Sequence, residues 1–416
     1  MMANMKYNLK NKTFCILPFV HSHVNTDGEV YPCCVGWTPD KKTSLGKLSE
    51  SSIEKLFNAE KLKQLRLDLL NGIRREDFCT ACYQREDNGF PSARKGNNRD
   101  FLDQEEDIVS QMEADGSMPE VIKSWDIRYS NLCNLKCRSC GDLYSTTWAA
   151  ETGNLTEYKA FPDGDDPLES QYKNIEKIYF AGGEPLIMPE HFASLKKLID
   201  SGRASKVKLV YNTNMTKLNY NKHNLLDFWK EFKEVTVGMS IDALGERADY
   251  IRNGVPWKKI ENNIKEFSNF VKQHDNITFY YSPTVSLMNV YTLTDMHQYL
   301  YNQGYMSDIN NFLFNMLIHP EHYSVSVLPN DIKEKIKEKI KEHIRWLSDN
   351  SSNDLMIRQY ENLYTFLDTE ADSDLKFKFY ITTLRLDEIR NQNFSETFPE
   401  YKEWWESLDR GHIANG

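Results

Sequence analysis

Three cysteines in one short loop are the residues whose spacing most directly predicts chemistry in this chain. Cys133, Cys137 and Cys140 lie in the sequence CNLKCRSC, after the apolar, strand-like run Trp125–Ser130. The C-x3-C-x2-C spacing places three thiolates around one iron–sulfur cubane and leaves its fourth iron without a protein ligand. A substrate or cofactor can bind a metal that has such an open position. The loop therefore predicts an open-sited 4Fe–4S cluster.

Two other interpretations of this loop stay open. A structural zinc site normally takes a fourth protein ligand, and residues 141–160 contain no histidine or cysteine. Three unligated cysteines are the other alternative, because free cysteine packs as a small apolar residue.

A second group of cysteines lies near the amino terminus, and CTAC has the spacing of metal ligands. Four thiolates are available there, from Cys15, Cys79, Cys82 and one of Cys33 or Cys34. Three interpretations of this group stay open: an auxiliary iron–sulfur cluster, a structural zinc site, or cysteines that bind no metal. Neighbouring strand residues point to opposite faces, so Cys33 and Cys34 should not both face the same metal.

The elements around these cysteines are predicted from turn and helix signals. Asp27-Gly28 is a dipeptide that favours a tight hairpin turn between His21–Asn25 and Glu29–Cys33. Apolar residues at helical spacing predict a helix over Ser52–Asn71, closed by Gly72. His21 and His23 flank the hairpin. They are interpreted as polar residues of an edge strand, with a role as metal ligands as the alternative.

From Ser124 onward, strand-like runs alternate with helical patterns, which predicts a parallel sheet with helices outside it. The fold class is therefore α/β: a partial (β/α)6 barrel of TIM type, with a small cysteine-rich α+β module before it and a helical extension after it. Six strands are expected, at Trp125–Ser130, Lys177–Phe180, Lys206–Asn212, Glu234–Ile241, Ile277–Val285 and Phe312–Ile318. Four of the intervening helical patterns are His191–Ser201, Asn224–Phe232, Lys258–Gln273 and Thr292–Gln303.

The carboxyl ends of these strands carry the polar motifs of the chain. Residues in such barrels do chemistry at that end, and it holds CNLKCRSC, AGGEP, NTN, SID, SPT and HPE. The alternation within Val235–Ile241 leaves one face small and polar, as expected of a strand that lines a cofactor cavity.

The domain boundaries follow from these patterns. An auxiliary module covers residues 1–100, a linker or short exposed helix covers 101–122, and the barrel covers 123–329. A helical extension covers 330–416, where Ile332, Ile336, Ile340 and Ile344 recur every four residues and predict a helix that lies against the barrel.

Composition limits the function classes. The chain has 416 residues and a net charge of −10, which argues against general nucleic-acid binding. The basic stretches Lys61–Arg75 and Arg94–Arg99 are interpreted as a solvated helix face and a polar loop, with an anion-binding role as the alternative. No apolar run reaches ~20 residues, and the amino terminus lacks a signal-peptide core. We therefore expect a cytoplasmic protein without a membrane partner.

Taken in order along the chain, these motifs resemble a known superfamily. The cysteine loop followed by Gly182-Gly183-Glu184-Pro185 resembles the radical S-adenosylmethionine (SAM) enzymes over residues 124–328. The tract DGEVYPCC, then LGKL, then CTAC resembles the SPASM/twitch domains, which carry an auxiliary iron–sulfur cluster. In most such families this module follows the barrel, whereas here it precedes it.

The resemblance implies a set of cofactor contacts. The GGEP backbone and Glu184 would lie near the ammonium of the SAM methionine moiety. Ser240 and Asp242 would lie near the ribose or the carboxylate, and Arg252 in YIRNG would be the cation for that carboxylate. Cys33 follows the proline of the SPASM-like pattern, which favours it over Cys34 as the auxiliary ligand.

The resemblance also implies a reaction of the oxidoreductase or transferase type. An electron from a donor such as flavodoxin or ferredoxin would reach the cluster, and a 5′-deoxyadenosyl radical would abstract hydrogen from a peptide or protein. The alternatives are the same chemistry on a nucleotide or small anionic metabolite held by Arg94–Arg99, or a non-catalytic iron–sulfur electron carrier or scaffold. No side chain is predicted as general acid or base.

Overall fold

The computed structural model describes residues 9–413 except 39, 88, 90, 155, 162–165, 167 and 352, and backbone contacts divide the chain into two compact units. The first unit comprises Met1–Leu132, Leu155–Tyr211 and Asp227–Val235, and the second comprises Cys133–Asn154, Asn212–Leu226 and Thr236–Gly416. These units do not follow the boundaries expected from sequence, which stay a prediction.

The described strands fall into one large sheet and two short pairs. They are β1 His21–Val24, β2 Glu29–Tyr31, β3 Gly46–Lys47, β4 Ser124–Ile127, β5 Lys177–Phe180, β6 Lys208–Thr213, β7 Asn219–Tyr220, β8 His223–Asn224, β9 Glu234–Met239, β10 Ile277–Tyr281, β11 Thr284–Val285 and β12 Asn315–Met316.

The described α-helices alternate with these strands and continue beyond them. They are α1 Leu17–Val20, α2 Ile53–Phe57, α3 Glu60–Leu70, α4 Glu76–Asp87, α5 Ala93–Asp100, α6 Glu105–Ser110, α7 Thr146–Thr152, α8 Pro189–Asp200, α9 Leu225–Trp229, α10 Gly245–Ile251, α11 Trp257–Val271, α12 Leu293–Asn302, α13 Asn330–Asn350, α14 Asp354–Phe366, α15 Ser373–Arg390, α16 Phe394–Thr397 and α17 Lys402–Ile413. None of the helices described is both long and apolar enough to cross a bilayer.

The large sheet has the strand order β10-β9-β6-β5-β4-β1-β2-β3. Strands β4, β5 and β6 pair in parallel, as expected for strands joined by helical crossovers. Strand β1 also pairs in parallel with β4, and β2 and β3 then follow antiparallel. The predicted α/β fold class, with a partial barrel and a helical carboxyl-terminal region, is confirmed.

The pairing of β1 with β4 corrects one expectation. His21 and His23 were expected on an edge strand, but β1 has a neighbour on both sides and both histidines are buried. The predicted hairpin itself is present, with Gly28 at a φ of +80° between β1 and β2. That backbone conformation favours glycine because it has no Cβ.

The helix predicted over Ser52–Asn71 is interrupted, and two helices, α2 and α3, take its place. The break lies at Asn58, whose amide exchanges hydrogen bonds with the Met118 backbone at 2.9 Å in each direction. An asparagine side chain that bonds backbone groups in this way competes with helix continuation. Gly72 lies just beyond α3 with a φ of +76°, as predicted.

The basic stretch over Lys61–Arg75 is not simply a solvated face. Arg66 is fully buried and donates to the carbonyl oxygens of Pro18 at 2.7 Å and Phe57 at 2.6 Å. The segment expected to be a linker or exposed helix is also packed, since Ile108 and Val109 of α6 are buried. This segment was expected to be exposed because acidic residues surround its few apolar side chains in the sequence.

The carboxyl-terminal extension begins with α13, whose predicted stripe is present. Ile332, Ile336 and Ile340 are buried, whereas Ile344 is half-buried. Helices α14 to α17 complete this part of the second unit.

Candidate functional site

The cysteine loop lies in the second unit and is held by backbone and side-chain hydrogen bonds. Cys133 is buried, and Cys137 and Cys140 are half-buried. The Cys140 amide donates to the Cys137 carbonyl at 3.0 Å, which closes a turn between the two residues. The indole N–H of Trp148, in α7, donates to the same carbonyl at 2.6 Å. The loop is therefore shaped by its own backbone and by α7.

A half-buried cation lies beside this loop. The Nε of Arg252 donates to Asp242 Oδ2 at 2.7 Å, and its Nη1 lies 3.8 Å from Cys137 Sγ. Burial raises the pKa of Cys137, and the charge of Arg252 opposes that rise. Burial lowers the pKa of Arg252, but Asp242 and Cys137 outweigh it and raise the pKa overall. A fixed positive charge thus faces the thiolates that metal ligation requires.

Asp242 uses both carboxylate oxygens within the protein. Its Oδ1 accepts from the Thr284 amide at 2.8 Å, while Oδ2 accepts from Arg252. Ser240 is half-buried, and its amide donates to the Thr213 carbonyl at 2.8 Å. The structure thus brings Asp242 and Arg252 to the cysteine loop, and Asp242 acts as the orienting partner of Arg252.

The sequence reasoning missed the contacts that the carboxyl-terminal helices make with this loop. Arg138, between the second and third cysteines, is buried and ion-pairs with Asp387 of α15. The Tyr250 hydroxyl donates to the same carboxylate at 2.6 Å. Arg390, at the end of α15, pairs with Glu151 of α7 at 2.7 Å. No local pattern links residues about 250 positions apart (387 against 138), so only the basic Arg138 within the loop was a signal.

The GGEP turn belongs to the first unit and packs against the chain just before Cys133. A Cβ on Gly183 would lie 2.2 Å from the Leu132 carbonyl oxygen, so glycine is required there. The Glu184 amide donates to the same oxygen at 2.8 Å. The Glu184 side chain is buried and accepts from the Leu186 amide at 3.0 Å, in the turn that Pro185 begins. Gly182 has a φ of +115°.

The amino-terminal cysteines form one electrostatically coupled group in the first unit. Burial raises the pKa of Cys33, and so do the charges of its neighbour Cys34 and, to a smaller extent, of Cys15, Cys79 and Cys82. Burial and Cys82 likewise raise the pKa of Cys79 to about 12. Cys79 and Cys82 lie one turn apart on α4. The four sulfurs therefore lie within electrostatic range of one another in the first unit.

Cys34 lies in different surroundings. Burial raises the pKa of its thiol to about 12, Asp126 adds to that rise, and the charge of Arg128 opposes it. The Cys33 sulfur lies near Gly36, where an added Cβ would be 3.6 Å away. The two neighbouring thiols thus face different groups.

Helix α5 contributes a second fixed cation. Arg94 is buried, ion-pairs with Glu86 and donates to the Phe14 carbonyl at 2.7 Å, next to Cys15. Its charge opposes the burial that raises the pKa of Cys15. Arg94 was expected in an exposed polar loop, and that expectation is wrong because its guanidinium is used inside the module.

The donor sets fit iron–sulfur clusters. Cys137 and Cys140 interact with Arg252 in one unit, and Cys15, Cys79 and Cys82 interact with Arg94 in the other. Thiolate sulfur is the usual protein ligand of such clusters. Across the residues that the structure covers, no three His, Cys, Asp or Glu side chains are grouped to hold a metal ion. The coupling between the amino-terminal cysteines, and not preformed coordination, therefore supports the fit.

Two domain families match the sequence. The radical SAM superfamily matches residues 127–284, and an iron–sulfur cluster-binding domain, SPASM, matches residues 15–83. The chain thus contains a region that matches the radical SAM superfamily, preceded by one that matches the SPASM domain. The predicted cofactors, two 4Fe–4S clusters and SAM, are those that these two domains imply. No curated protein matches the chain.

Solved structures of other radical SAM proteins show partial similarity to this chain. The anaerobic sulfatase-maturating enzyme anSMEcpe, with bound AdoMet and the Kp18Cys peptide, is 21% identical with a TM-score of 0.40, covering 55% of this chain and 61% of that one. SuiB from Streptococcus suis, bound to S-adenosylmethionine, is 15% identical with a TM-score of 0.28, covering 62% and 65%. The chain thus spans less than two thirds of either structure.

Proposed function

We propose that this radical SAM protein is an enzyme that acts on a peptide or protein. Cys133, Cys137 and Cys140 hold the cluster that binds SAM, and Cys15, Cys33, Cys79 and Cys82 hold an auxiliary cluster. When bound, the first cluster and SAM supply a 5′-deoxyadenosyl radical that abstracts hydrogen from the substrate. Flavodoxin or ferredoxin is the expected class of electron donor.

One observation carries the cofactor assignment: the half-buried Arg252 guanidinium lies 3.8 Å from the Cys137 sulfur and is oriented by Asp242. A cation at this place stabilises thiolate ligands and can bind a carboxylate of a cofactor nearby. Asp242 holds Nε, so the remaining guanidinium nitrogens are the ones assigned to a cofactor carboxylate. The GGEP backbone and Glu184 are assigned to the methionine ammonium, and Ser240 to the ribose.

The peptide substrate rests on the resemblance to peptide-modifying SPASM/twitch enzymes. The main alternative, a nucleotide or small anion at Arg94–Arg99, loses support because Arg94 is buried and paired with Glu86. The electron-carrier alternative does not explain the GGEP turn, because a protein that only carries electrons needs no SAM-binding turn.

The test is cleavage of SAM by anaerobically reconstituted protein with a strong reductant. We expect 5′-deoxyadenosine from the wild type and none from Cys137→Ala, because a cluster ligand is lost. Cys34→Ala is the matched control and should retain the activity. Formation of 5′-deoxyadenosine at the wild-type rate by a variant without all three loop cysteines would overturn the proposal.

A further inference from the structure

One face of the sheet in the first unit carries polar side chains. Along β5, Ile178 and Phe180 are fully buried, whereas Tyr179 between them is half-buried. The register places Asp126 of β4 opposite Tyr179 and His23 of β1 opposite Asp126. Residues opposite one another in neighbouring strands point to the same face. His23 and Asp126 therefore lie on the polar face.

These two side chains form a buried pair that the protein leaves incompletely bonded. His23 Nδ1 lies 3.0 Å from Asp126 Oδ2, and each side chain is 1% exposed. Neither carboxylate oxygen of Asp126 makes a hydrogen bond of good geometry with the residues described, although Oδ1 lies 3.6 Å from Arg128 Nε and the Cys34 thiol faces the same carboxylate. Although burial raises the pKa of Asp126, His23 and Arg128 hold it well below its usual range. A buried ionised carboxylate without full hydrogen bonding is costly unless a ligand completes it.

Asn25 adds an unsatisfied amide to the same place. It follows β1 and, two residues after His23, lies on the His23 side of the chain. Its side chain is 1% exposed, and neither Oδ1 nor Nδ2 has a hydrogen-bond partner among the described residues. Nearly all buried polar groups in proteins are paired, so such an exception needs a physical reason.

The two ends of this face differ. At the amino ends of the strands, Lys177 bonds Asp100 at 2.6 Å and Asn97 at 3.0 Å, so that end is closed by satisfied contacts. The unsatisfied groups lie at the carboxyl ends of the parallel strands β1 and β4, where α/β proteins bind ligands. Two of them, His23 and Asn25, come from the SPASM domain rather than from the radical SAM domain.

We propose that Asn25, His23 and Asp126 form a substrate-binding site whose ligand group is a peptide amide. The Asn25 amide presents one donor and one acceptor, which match the carbonyl and N–H of a peptide group. The His23–Asp126 pair supplies the further polar contact. The SPASM domain thereby contributes to substrate recognition in addition to holding a cluster. This proposal rests on the proposed peptide substrate and deepens it.

The test compares stability with peptide binding. Peptides are selected from a random-sequence library on the reconstituted wild type, and their affinity is then measured for Asn25→Ala. We expect at least a ten-fold loss of affinity, because the site loses both hydrogen bonds. We also expect an unchanged or raised melting temperature, because the variant removes an unpaired buried amide. Asn97→Ala, at the closed end of the face, should lower the melting temperature and leave the affinity unchanged.

Two results would overturn the inference. Asn25→Ala could bind the selected peptides as the wild type does and melt at a lower temperature, which would make Asn25 a structural residue. The wild type could also select no peptide while still forming 5′-deoxyadenosine, in which case the peptide-binding site is wrong and the SAM chemistry stands. Absence of 5′-deoxyadenosine from the wild type would instead reject the proposed function itself.

Discussion

Arg252 combines two contacts that are separable by mutation. It binds Asp242, which is 2% exposed, and it faces the sulfur of Cys137. Removing one partner of a buried ion pair costs about 3–5 kcal/mol, because the other charge is left uncompensated. The structure thus assigns Arg252 a larger folding role than its motif alone suggested.

We therefore expect Arg252→Ala to lower the stability of the apoprotein and Arg252→Lys to separate the two roles. Lysine keeps the charge but presents a single ammonium, so it cannot contact Asp242 and a cofactor carboxylate together. SAM affinity of Arg252→Lys should fall by about ten-fold, as measured by equilibrium binding to the reconstituted protein. Arg247→Lys is the control, since Arg247 lies on α10 but pairs with Glu400 at 2.6 Å. Unchanged SAM affinity of Arg252→Lys would make its role structural.

The neighbouring cysteines of the SPASM domain should behave differently. The two thiols act on each other, but Cys33 also interacts with Cys15, Cys79 and Cys82, whereas Cys34 interacts with Asp126 and Arg128. Cys33→Ser should therefore damage the auxiliary cluster, and Cys34→Ser should leave its absorption and electron paramagnetic resonance spectra intact. The opposite result would exchange the two assignments.

At the scale of elements, helix α15 supports the radical SAM cluster loop. Its residues Asp387 and Arg390 pair with Arg138 in the loop and with Glu151 in α7. The charge of Arg390 also lowers the pKa of Cys137, although burial raises it overall. The carboxyl-terminal extension is thus part of the protein environment of the cysteine loop.

We expect Arg390→Gln to lower the midpoint potential of the loop cluster. A nearby cation favours the reduced cluster, which carries one more negative charge, so its removal disfavours reduction. Glu151 would also lose a buried partner, and iron retention after gel filtration should fall. Arg385→Gln, at an exposed position of the same helix, is the control. Equal potentials in Arg390→Gln and Arg385→Gln would contradict this role.

The packing of α12, α13 and α14 predicts a dependence of stability on pH. His297 and His343 are buried and lie 3.0 Å apart between ring nitrogens. Burial lowers the pKa of His297 to about 4, and burial together with His297 lowers that of His343 to about 2. The unfolded chain therefore binds protons below pH 6.5 that the folded chain does not, and stability falls as the pH drops.

Each histidine should lower the free energy of unfolding by about 1 kcal/mol for each unit that the pH falls between roughly pH 6 and pH 4. Urea unfolding at several pH values measures this slope for the wild type and for His343→Gln, which should show a shallower one. His319→Gln is the control, because His319 is 73% exposed. Equal slopes for the wild type and His343→Gln would contradict the prediction.

At the scale of the whole molecule, local patterns predicted the parallel strands and the cysteine loops. The alternation of apolar and polar residues along β5, β6 and β9 is a short-range signal, and those strands are present. Long-range pairings had no such signal: β1 joins β4 across about a hundred residues (21 against 124), and Asp387 reaches Arg138. The break at Asn58 depends on Met118, which lies 60 residues away in sequence.

The same limit applies to the site. Cysteine spacing and the GGEP turn are local, so they were predicted, although the roles of individual residues stay predictions. Arg94 and Arg66 appeared as surface charges because their partners are backbone carbonyls, which every residue has and no sequence pattern marks.

The proposed assignment of two clusters to separate cysteine groups predicts the iron content of the whole chain. The loop cysteines belong to the second unit and the SPASM cysteines to the first, and no cysteine is shared. Fully reconstituted wild type should therefore carry roughly eight irons, as two cubanes of four. The triple variant Cys133→Ala, Cys137→Ala, Cys140→Ala should carry roughly four, and Cys79→Ala with Cys82→Ala should also carry roughly four. Iron and zinc analysis of gel-filtered protein measures this. Stoichiometric zinc with only about four irons in the wild type would make the amino-terminal site a structural zinc site and remove its electron-transfer role.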